Sequence, residues 1–345
     1  MRNTLATCSR LAATIAVWAF AGSSTLQAQT ANLKFAFIAN ETEETYVTAI
    51  KPFIDAVNRD GEGIVHIDFF PNGALSRNFP QQPQLVLDGV ADIAFAVPAL
   101  TPGRFPDNGA LELPGLFRSL RESTLVYTRV LAQGKLRGYE DYFVIGALGT
   151  SPYNLFSRKA IKSLSDLNGI KVAVTSSTAA ASLRTLGAVP VPMPVTEFAE
   201  AIGRGTVDAA LSFIFPMVDY GAIRVTSHDY LLTFGMNPIA VFMNRKKFES
   251  LPPNAQDIIR KYSGEWIANR YAEGATAHLD KLQTEVRADT KRTVVTPSQS
   301  EQAKALENFK SIYSDWLAKD PKNSELLQSV RANSQSCDRP QAPFA

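Results

Sequence analysis

Residues 169–194, GIKVAVTSSTAAASLRTLGAVPVPMP, decide the fold class because a buried strand passes directly into a helix there. The apolar run at 170–174 predicts the strand, and the small residues at 179–186 predict a helix that Gly187 closes. Three hydroxyl residues, 176–178, stand between the two elements. Such small side chains indicate that something approaches the backbone closely at this junction. Tight internal packing is the alternative.

The alternation of strand and helix continues along the whole chain, which indicates α/β layers. Buried strands are predicted at 33–38, 64–70, 92–97, 142–149, 153–156, 207–213 and 239–243. Helices are predicted at 43–59 with a bend at Pro52, and at 81–88, 121–136, 197–203, 254–290 and 298–332.

The order of these elements predicts two lobes, because the chain leaves the first group of strands near residue 150 and returns near 238. Two such crossings make a hinge, and ligand pockets form in clefts between lobes. We expect an α/β fold with two lobes, hinge strands and long C-terminal helices. The expected segments are 29–150 plus about 238–290 for lobe I, 151–237 for lobe II, 291–332 for a C-terminal helix packing on the lobes, and 333–345 for a disordered tail.

Residues 1–28 are typical of a secretory signal peptide, with an apolar segment at 11–22 and a small residue, Ala28, at the cleavage position. The apolar segment is too short to span a membrane. Without Arg2 and Arg10 the 35 basic residues fall to 33, equal to the acidic count, and Cys337 is the remaining cysteine. We therefore expect a periplasmic protein that has no internal disulfide and no bulk attraction for nucleic acid or membranes.

The sequence contains no motif that calls for catalysis. Its three histidines lack metal-ligand spacing, and no nucleophile elbow, phosphate loop or dinucleotide fingerprint occurs. We expect no enzyme activity, no cofactor and no metal site. Glu41, Glu43 and Glu44 begin a predicted helix, where acids serve the dipole and the cap. Glu41 is also a candidate for the cleft.

Five sequence blocks together resemble a known family, and they occur in that family's order between about residues 33 and 270. They are FFPNGALSRNFPQQPQLVLDGVADIAFAVPA, LELPGLF, SRKAIKSLSDLNGIKVAV, LGAVPVPMPVTEFAEAIGRGTVDAA and VFMNRKKFESLPP. The chain resembles the substrate-binding protein of a tripartite ATP-independent periplasmic (TRAP) transporter, the DctP family. The resemblance implies a two-lobed, flytrap-type periplasmic binding protein with a long helix spanning both lobes. It also implies delivery of a solute to a membrane permease that an ion gradient drives.

The polar anchors of that family are replaced in this chain. The family arginine that grips the substrate carboxylate falls on Ala173, and a second family arginine falls on Tyr153. A family asparagine falls on Ser212, which Phe213 and Phe215 follow. We expect these five positions to line the cleft and to leave room for a bulkier, flatter ligand. The alternatives are that Ala173 only packs in its sheet, and that one phenylalanine belongs to the core.

The polar end of the ligand is expected near Ser176, because free backbone N–H groups at the start of the following helix receive acceptor atoms. Arg77 is the first candidate for the cation that would pair with an anionic ligand, and Arg118 and Arg158 are the next candidates. The alternative for each is a solvated surface arginine. The other expected cleft residues are Asn40, Glu41, Asn78 and Val97.

These features predict a monomeric binding protein for an aromatic or otherwise hydrophobic small organic acid, with membrane permease subunits as its partners. Simple C4 dicarboxylates are expected to bind weakly, because the Ala173 position lacks a cation. A neutral hydrophobic ligand is the second hypothesis. Two other classes stay open: a ligand-sensing partner of a membrane receptor, and an exported enzyme that keeps the same fold.

Overall fold

A computed structural model describes residues 30–337 and contains eleven strands within that range. They are β1 (Ala31–Ala36), β2 (Val65–Phe70), β3 (Ile93–Ala96), β4 (Tyr142–Gly149), β5 (Asn154–Ser157), β6 (Lys171–Val174), β7 (Val189–Pro192), β8 (Ala209–Ser212), β9 (His228–Tyr230), β10 (Pro238–Asn244) and β11 (Thr293–Val295). The predicted signal peptide at 1–28 lies outside the described residues.

The strands form two separate sheets, one in each lobe. The first has the order β2-β1-β3-β10-β4, and the second has the order β11-β9-β5-β8-β6-β7. In the first sheet β1 runs parallel to β2 and β3, while β10 is antiparallel to β3 and β4. The carboxyl ends of β1, β2 and β3 therefore meet at one edge, which is where α/β sheets bind ligands.

The helices cover both sheets and connect the strands, as the alternating pattern predicted. They are α1 (Lys51–Asp60), α2 (Gln82–Leu87), α3 (Leu120–Ala132), α4 (Ser177–Thr185), α5 (Phe198–Gly203), α6 (Ile214–Asp219), α7 (Arg245–Glu249), α8 (Pro253–Lys261), α9 (Glu265–Ala288), α10 (Gln299–Lys319) and α11 (Lys322–Cys337).

The helix predicted at 43–59 is divided in two. Tyr46–Ile50 forms a π turn, and the α-helical part begins at Lys51. Pro52 lacks the N–H that an α-helix would use and its ring crowds the preceding turn, so the widened turn ends next to it. The bend expected at Pro52 is therefore a change of helix type.

The two long C-terminal helices predicted from the sequence are each broken. Gly264, at a φ of 64°, separates α8 from α9, and Pro321 lies between α10 and α11. Residues 333–337 are helical, which corrects the expected disorder at the start of the tail, whereas 338–345 lie outside the described residues. Strand β11 was also missed, and it joins the second sheet beside β9.

Backbone hydrogen bonds join the two segments in which the chain first leaves and later re-enters the first lobe. The Tyr153 N–H donates to the Gly235 carbonyl at 2.8 Å, and the Phe234 N–H donates to the Tyr153 carbonyl at 3.1 Å. The Asn237 N–H donates to the hydroxyl of buried Thr150 at 2.9 Å. We call residues 150–153 and 234–237 the paired crossovers. Their hydrogen bonds hold the two segments side by side between the lobes.

The long helix α9 contacts both lobes. Its 24 residues span about 36 Å at 1.5 Å per residue. It packs on the π turn and β4 of the first lobe and on α6 of the second. None of the helices between residues 30 and 337 combines the length and the apolar character that crossing a bilayer requires.

We predict that Gly235→Ala destabilises the protein by about 1–3 kcal/mol, the cost of overpacking. A Cβ at position 235 would lie 2.0 Å from the Glu112 carbonyl oxygen, so the backbone has to move. Chemical denaturation measures the free energy of unfolding. Gly203→Ala is the matched control, because its Cβ would meet its nearest neighbour, Val225, at 3.7 Å. Equal effects of the two substitutions would contradict the close approach at Gly235.

Candidate functional site

An aromatic pair of the second lobe lies beside the paired crossovers. Tyr153 ends the first crossover and Phe213 follows β8; their ring centroids are 6.0 Å apart and their planes differ by 3°. Tyr153 is buried, whereas Phe213 is half-buried. Ser212, the last residue of β8, is buried opposite Asn154 of β5. The chain therefore places an aromatic pair, of which Phe213 is partly exposed, where it passes between the two sheets.

Phe213 and Phe215 do not alternate along a strand, which corrects the sequence expectation. Strand β8 ends at Ser212, and Phe215 lies in α6. Pro216 was the overlooked signal, since proline is tolerated in the first turn of a helix but not within a central strand. The Phe215 ring stacks on His278 of α9 at 5.2 Å, so Phe215 links the second lobe to that long helix.

Five rings at the carboxyl edge of the first sheet form a cluster that the sequence analysis did not select. They are Phe37, Tyr46, Phe69, Phe79 and Phe95. Tyr46 stacks on Phe69 at 4.6 Å, and both are half-buried. The signal available in the sequence was a phenylalanine at or next to the end of each predicted parallel strand. We call these five rings the first-lobe aromatic cluster.

The loops after β1, β2 and β3 carry the remaining cleft candidates of the first lobe. Exposed Asn40 and Glu41 follow β1, exposed Arg77 and Asn78 follow β2, and half-buried Val97 follows β3. The Asn40 side-chain oxygen accepts hydrogen bonds from the N–H and the hydroxyl of Thr42, so it is used within its own turn. Whether these residues bind a ligand stays a prediction.

Ala173 is completely buried in the second sheet. It lies between Val191 of β7 and Ala210 of β8, and it belongs to the same apolar cluster as Phe198 and Ile202. This packing agrees with the alternative in which Ala173 only fills its sheet. Its expected contribution to a binding cleft stays a prediction.

Ser176 caps α4, at the helix start where the sequence placed it. Its side-chain oxygen accepts a hydrogen bond from the Ala179 N–H at 3.1 Å. This cap accounts for one hydroxyl of the hydroxyl-rich junction. Glu112, which the sequence analysis did not select, is half-buried, and burial raises the pKa of its carboxyl to about 7.

Arg77 differs from the other two candidate arginines in its partners. Arg118 lies 3.3 Å from the carboxylate of Glu122, and Arg158 lies 3.6 Å from that of Asp208. Arg77 makes no ion pair with any residue in the described range. Whether Arg77 meets a ligand stays a prediction.

The acidic residues at the start of the first-lobe helix have distinct roles. Glu43 caps it, accepting hydrogen bonds from the Thr45 hydroxyl at 3.0 Å and the Tyr46 N–H at 3.1 Å. Nearly fully buried Glu44 is hydrogen-bonded to His278, and its second oxygen has no partner in the structure described. Burial raises the pKa of Glu43 to about 7, and nearby Asp219 of the second lobe adds to the shift.

The histidines lie on separate elements: His66 in β2, His228 in β9 and His278 in α9. Across residues 30–337 no group of three or more histidine, cysteine or acidic side chains is placed to hold a metal ion.

The chain belongs to the DctP family, described as bacterial extracellular solute-binding protein, family 7, which it matches over residues 35–320. A curated relative is the 2,3-diketo-L-gulonate-binding periplasmic protein YiaO of Escherichia coli (strain K12). It is 24% identical over 89% of this chain and 93% of its own length.

Solved structures of TRAP solute-binding proteins share the fold. One, from a marine metagenome, is specific for aromatic acid ligands and holds 3-hydroxybenzoate; its TM-score is 0.80 at 24% identity, covering 90% of this chain and 100% of the other. Another, from Rhodoferax ferrireducens T118, holds copurified benzoate; its TM-score is 0.78 at 22% identity, covering 89% and 98%.

We predict that Glu43→Gln removes part of the pH dependence of stability. Because the pKa of Glu43 rises from 4.5 to about 7 on folding, the folded state keeps a proton that the unfolded chain has released. The free energy of unfolding therefore falls as the pH rises through this window. Glutamine stays neutral and can still accept the hydrogen bond from the Tyr46 N–H. The difference in free energy of unfolding, variant minus wild type, should therefore be about 1–3 kcal/mol larger at pH 8 than at pH 4.5.

Denaturant unfolding at the two pH values measures this gain. Exposed Glu62 provides the control, since Glu62→Gln should shift stability equally at both pH values. A Glu43→Gln effect that is the same at pH 4.5 and pH 8 would show that Glu43 does not keep its proton on folding.

Proposed function

We propose that this protein is a periplasmic binding protein that captures a small aromatic or otherwise hydrophobic monocarboxylate between its lobes. The observation that carries the proposal is the stacked pair of Tyr153 and Phe213 beside the paired crossovers. Flat apolar surface suits a ring, and ring contacts add about 0.5–1.5 kcal/mol beyond burial. The first-lobe aromatic cluster offers further ring surface at the carboxyl edge of the first sheet.

The structural relatives support an aromatic acid in particular. Proteins of this fold bind 3-hydroxybenzoate in one case and benzoate in another, whereas the curated Escherichia coli relative binds a diketo sugar acid. Sugar acids need several polar partners. The chain instead has Tyr153, Ala173 and Ser212 where its family resemblance implied two arginines and an asparagine, and this difference favours the aromatic class.

Arg77 is the proposed partner of the ligand carboxylate. It is exposed on the loop after β2 and has no ion pair in the described structure, whereas Arg118 and Arg158 both lie beside carboxylates. A neutral aromatic ligand is the second candidate. The observation that favours it is that Tyr153, Ala173 and Ser212 supply no cation at the positions where the family resemblance implied two arginines and an asparagine.

Membership of the family supports a role in delivering a ligand to a membrane transporter. We propose that the protein is exported with cleavage near Ala28, acts as a monomer and carries its ligand to the permease subunits of a TRAP transporter. A ligand that contacts both lobes favours their closure about the paired crossovers, and the closed form is the one the permease would recognise.

Calorimetry with three compounds tests the ligand class. We expect benzoate to bind at least tenfold more tightly than succinate, because no arginine stands at position 173 to grip a second carboxylate. Benzamide separates the two candidates, since binding equal to that of benzoate would favour a neutral ligand. Tight succinate binding would contradict the proposal. Recovery of unchanged benzoate after incubation separates binding from enzymatic turnover.

The contribution of the ring surface is tested with Phe213→Leu, which keeps an apolar side chain but removes the ring. The loss should be about 0.5–1.5 kcal/mol in benzoate binding, or roughly two- to tenfold in affinity. Val189→Ala, an exposed apolar residue on β7, serves as the control and should leave the affinity unchanged. Unchanged affinity in Phe213→Leu would remove Phe213 from the site.

The cation is tested with Arg77→Ala. Loss of a hydrogen bond to a charged group costs about 1.5–3 kcal/mol, so benzoate should bind about 10–100-fold more weakly. Benzamide should bind the variant and the wild type equally well. Arg158→Ala is the matched control, because Arg158 already faces Asp208. If Arg158→Ala weakens benzoate more than Arg77→Ala does, the carboxylate does not bind at the β2 loop.

A further inference from the structure

The loop between β2 and α2 carries Arg77, and hydrogen bonds attach the start of this loop to the sheet edge. The Asn72 N–H donates to the Ala39 carbonyl at 2.8 Å, and the Gly73 N–H donates to the Phe37 carbonyl at 3.0 Å. Both acceptors belong to the segment that follows β1, a strand parallel to β2. The loop is therefore held at the carboxyl edge of the parallel strands, where α/β sheets bind ligands.

The side chain of Gln82, the first residue of α2, holds the other end of this loop. Its Nε2 group donates to the Ser76 carbonyl and to the Asn78 carbonyl, each at 3.2 Å. These two carbonyls belong to the residues on either side of Arg77. Both N–H bonds of one side-chain amide are therefore used to fix the backbone around a single arginine.

The surroundings of Gln82 show that its NH₂ group is the part of the side chain that stabilises the loop. Gln82 is completely buried, and its Oε1 atom has no hydrogen-bond partner in the part of the chain that the structure describes. A buried acceptor without a partner is unfavourable, and an apolar side chain of similar size would avoid that cost. The benefit of a glutamine at this position therefore lies in its two bonds to the loop.

Gly73 restricts the Arg77 side chain itself. A Cβ at position 73 would lie 2.7 Å from Arg77 Cγ and 3.2 Å from Arg77 Cα. The aliphatic part of the arginine therefore packs directly on the backbone of Gly73, whose φ of 65° also favours glycine. The guanidinium of exposed Arg77 extends from a backbone and a Cγ atom that neighbouring groups hold in place.

We propose that Gln82 is a positioning residue, which holds Arg77 so that its guanidinium meets the carboxylate of the ligand. This inference rests on the proposed function, in which Arg77 is the partner of that carboxylate. Ordering a loop and a long side chain on binding reduces affinity, and a loop that is ordered beforehand avoids part of this loss. Gln82 therefore increases the affinity for an anionic ligand without touching it.

Gln82→Met tests this role, because methionine has a similar length and no N–H group. We expect calorimetry to show benzoate binding about three- to tenfold more weakly, while benzamide affinity changes by less than about twofold. A general disturbance of the fold would weaken both compounds alike. Gln81→Met is the matched control, since the same substitution at the exposed neighbouring glutamine should leave both affinities unchanged.

The same substitution in the Arg77→Ala background shows whether Gln82 acts through the arginine. If it does, Gln82→Met should cause no further loss of benzoate affinity there, because the effects of coupled residues do not add. An equal loss with and without Arg77 would overturn the proposal. So would an unchanged benzoate affinity in Gln82→Met, or an equal weakening of benzamide.

The melting temperature of each variant without ligand identifies any loss of folding. If Gln82→Met does not fold, Gly73→Ala replaces it, because its Cβ would displace the Arg77 side chain. The same selective loss of benzoate affinity is expected, and an unchanged ratio of benzoate to benzamide affinity would overturn the proposal.

Two further outcomes separate this inference from the proposed function. Failure of both benzoate and benzamide to bind wild type would overturn the proposed function and the role of Gln82 with it. Benzoate binding that Arg77→Ala does not weaken would overturn the roles of Arg77 and Gln82, and the aromatic ligand class would stand.

Discussion

The backbone ladder between residues 150–153 and 234–237 is the constraint on which the arrangement of the two lobes depends. Two hydrogen bonds join Tyr153 to Phe234 and Gly235, and Thr150 bonds with Asn237 through its backbone and its hydroxyl. The ladder also sets the position of Tyr153, and through its ring that of Phe213. The paired crossovers and the aromatic pair are thus parts of one element.

Helix α9 adds a second connection between the lobes. His278 on this helix is hydrogen-bonded to buried Glu44 of the first lobe, and its ring stacks on Phe215 of the second. Buried acids at such a junction are costly unless they are paired or protonated. Glu44 has one partner for two oxygens, and the raised pKa of Glu43 adds a neighbouring group that resists ionisation. We therefore expect stability to depend on pH at this junction.

The proposed binding surface combines the stacked pair of Tyr153 and Phe213 with Arg77, which is exposed on the loop after β2. An aromatic ring that carries one anionic group matches an apolar surface with one cation. The family defines the fold. The proposed preference for an aromatic ligand rests on Tyr153, Ala173 and Ser212, which stand where the resemblance implied polar anchors.

The sequence by itself determined the α/β class, the family and most of the strands, because alternating apolar runs, closing glycines and short motifs act over a few residues. The sequence analysis misjudged the local structure next to two prolines. A π turn precedes Pro52, and Pro216 lies in the first turn of the helix that contains Phe215. Only the tertiary structure brought His278 to both Glu44 and Phe215. These partners lie 63 or more residues apart in sequence, so their meeting depends on how the lobes pack, which no local pattern encodes.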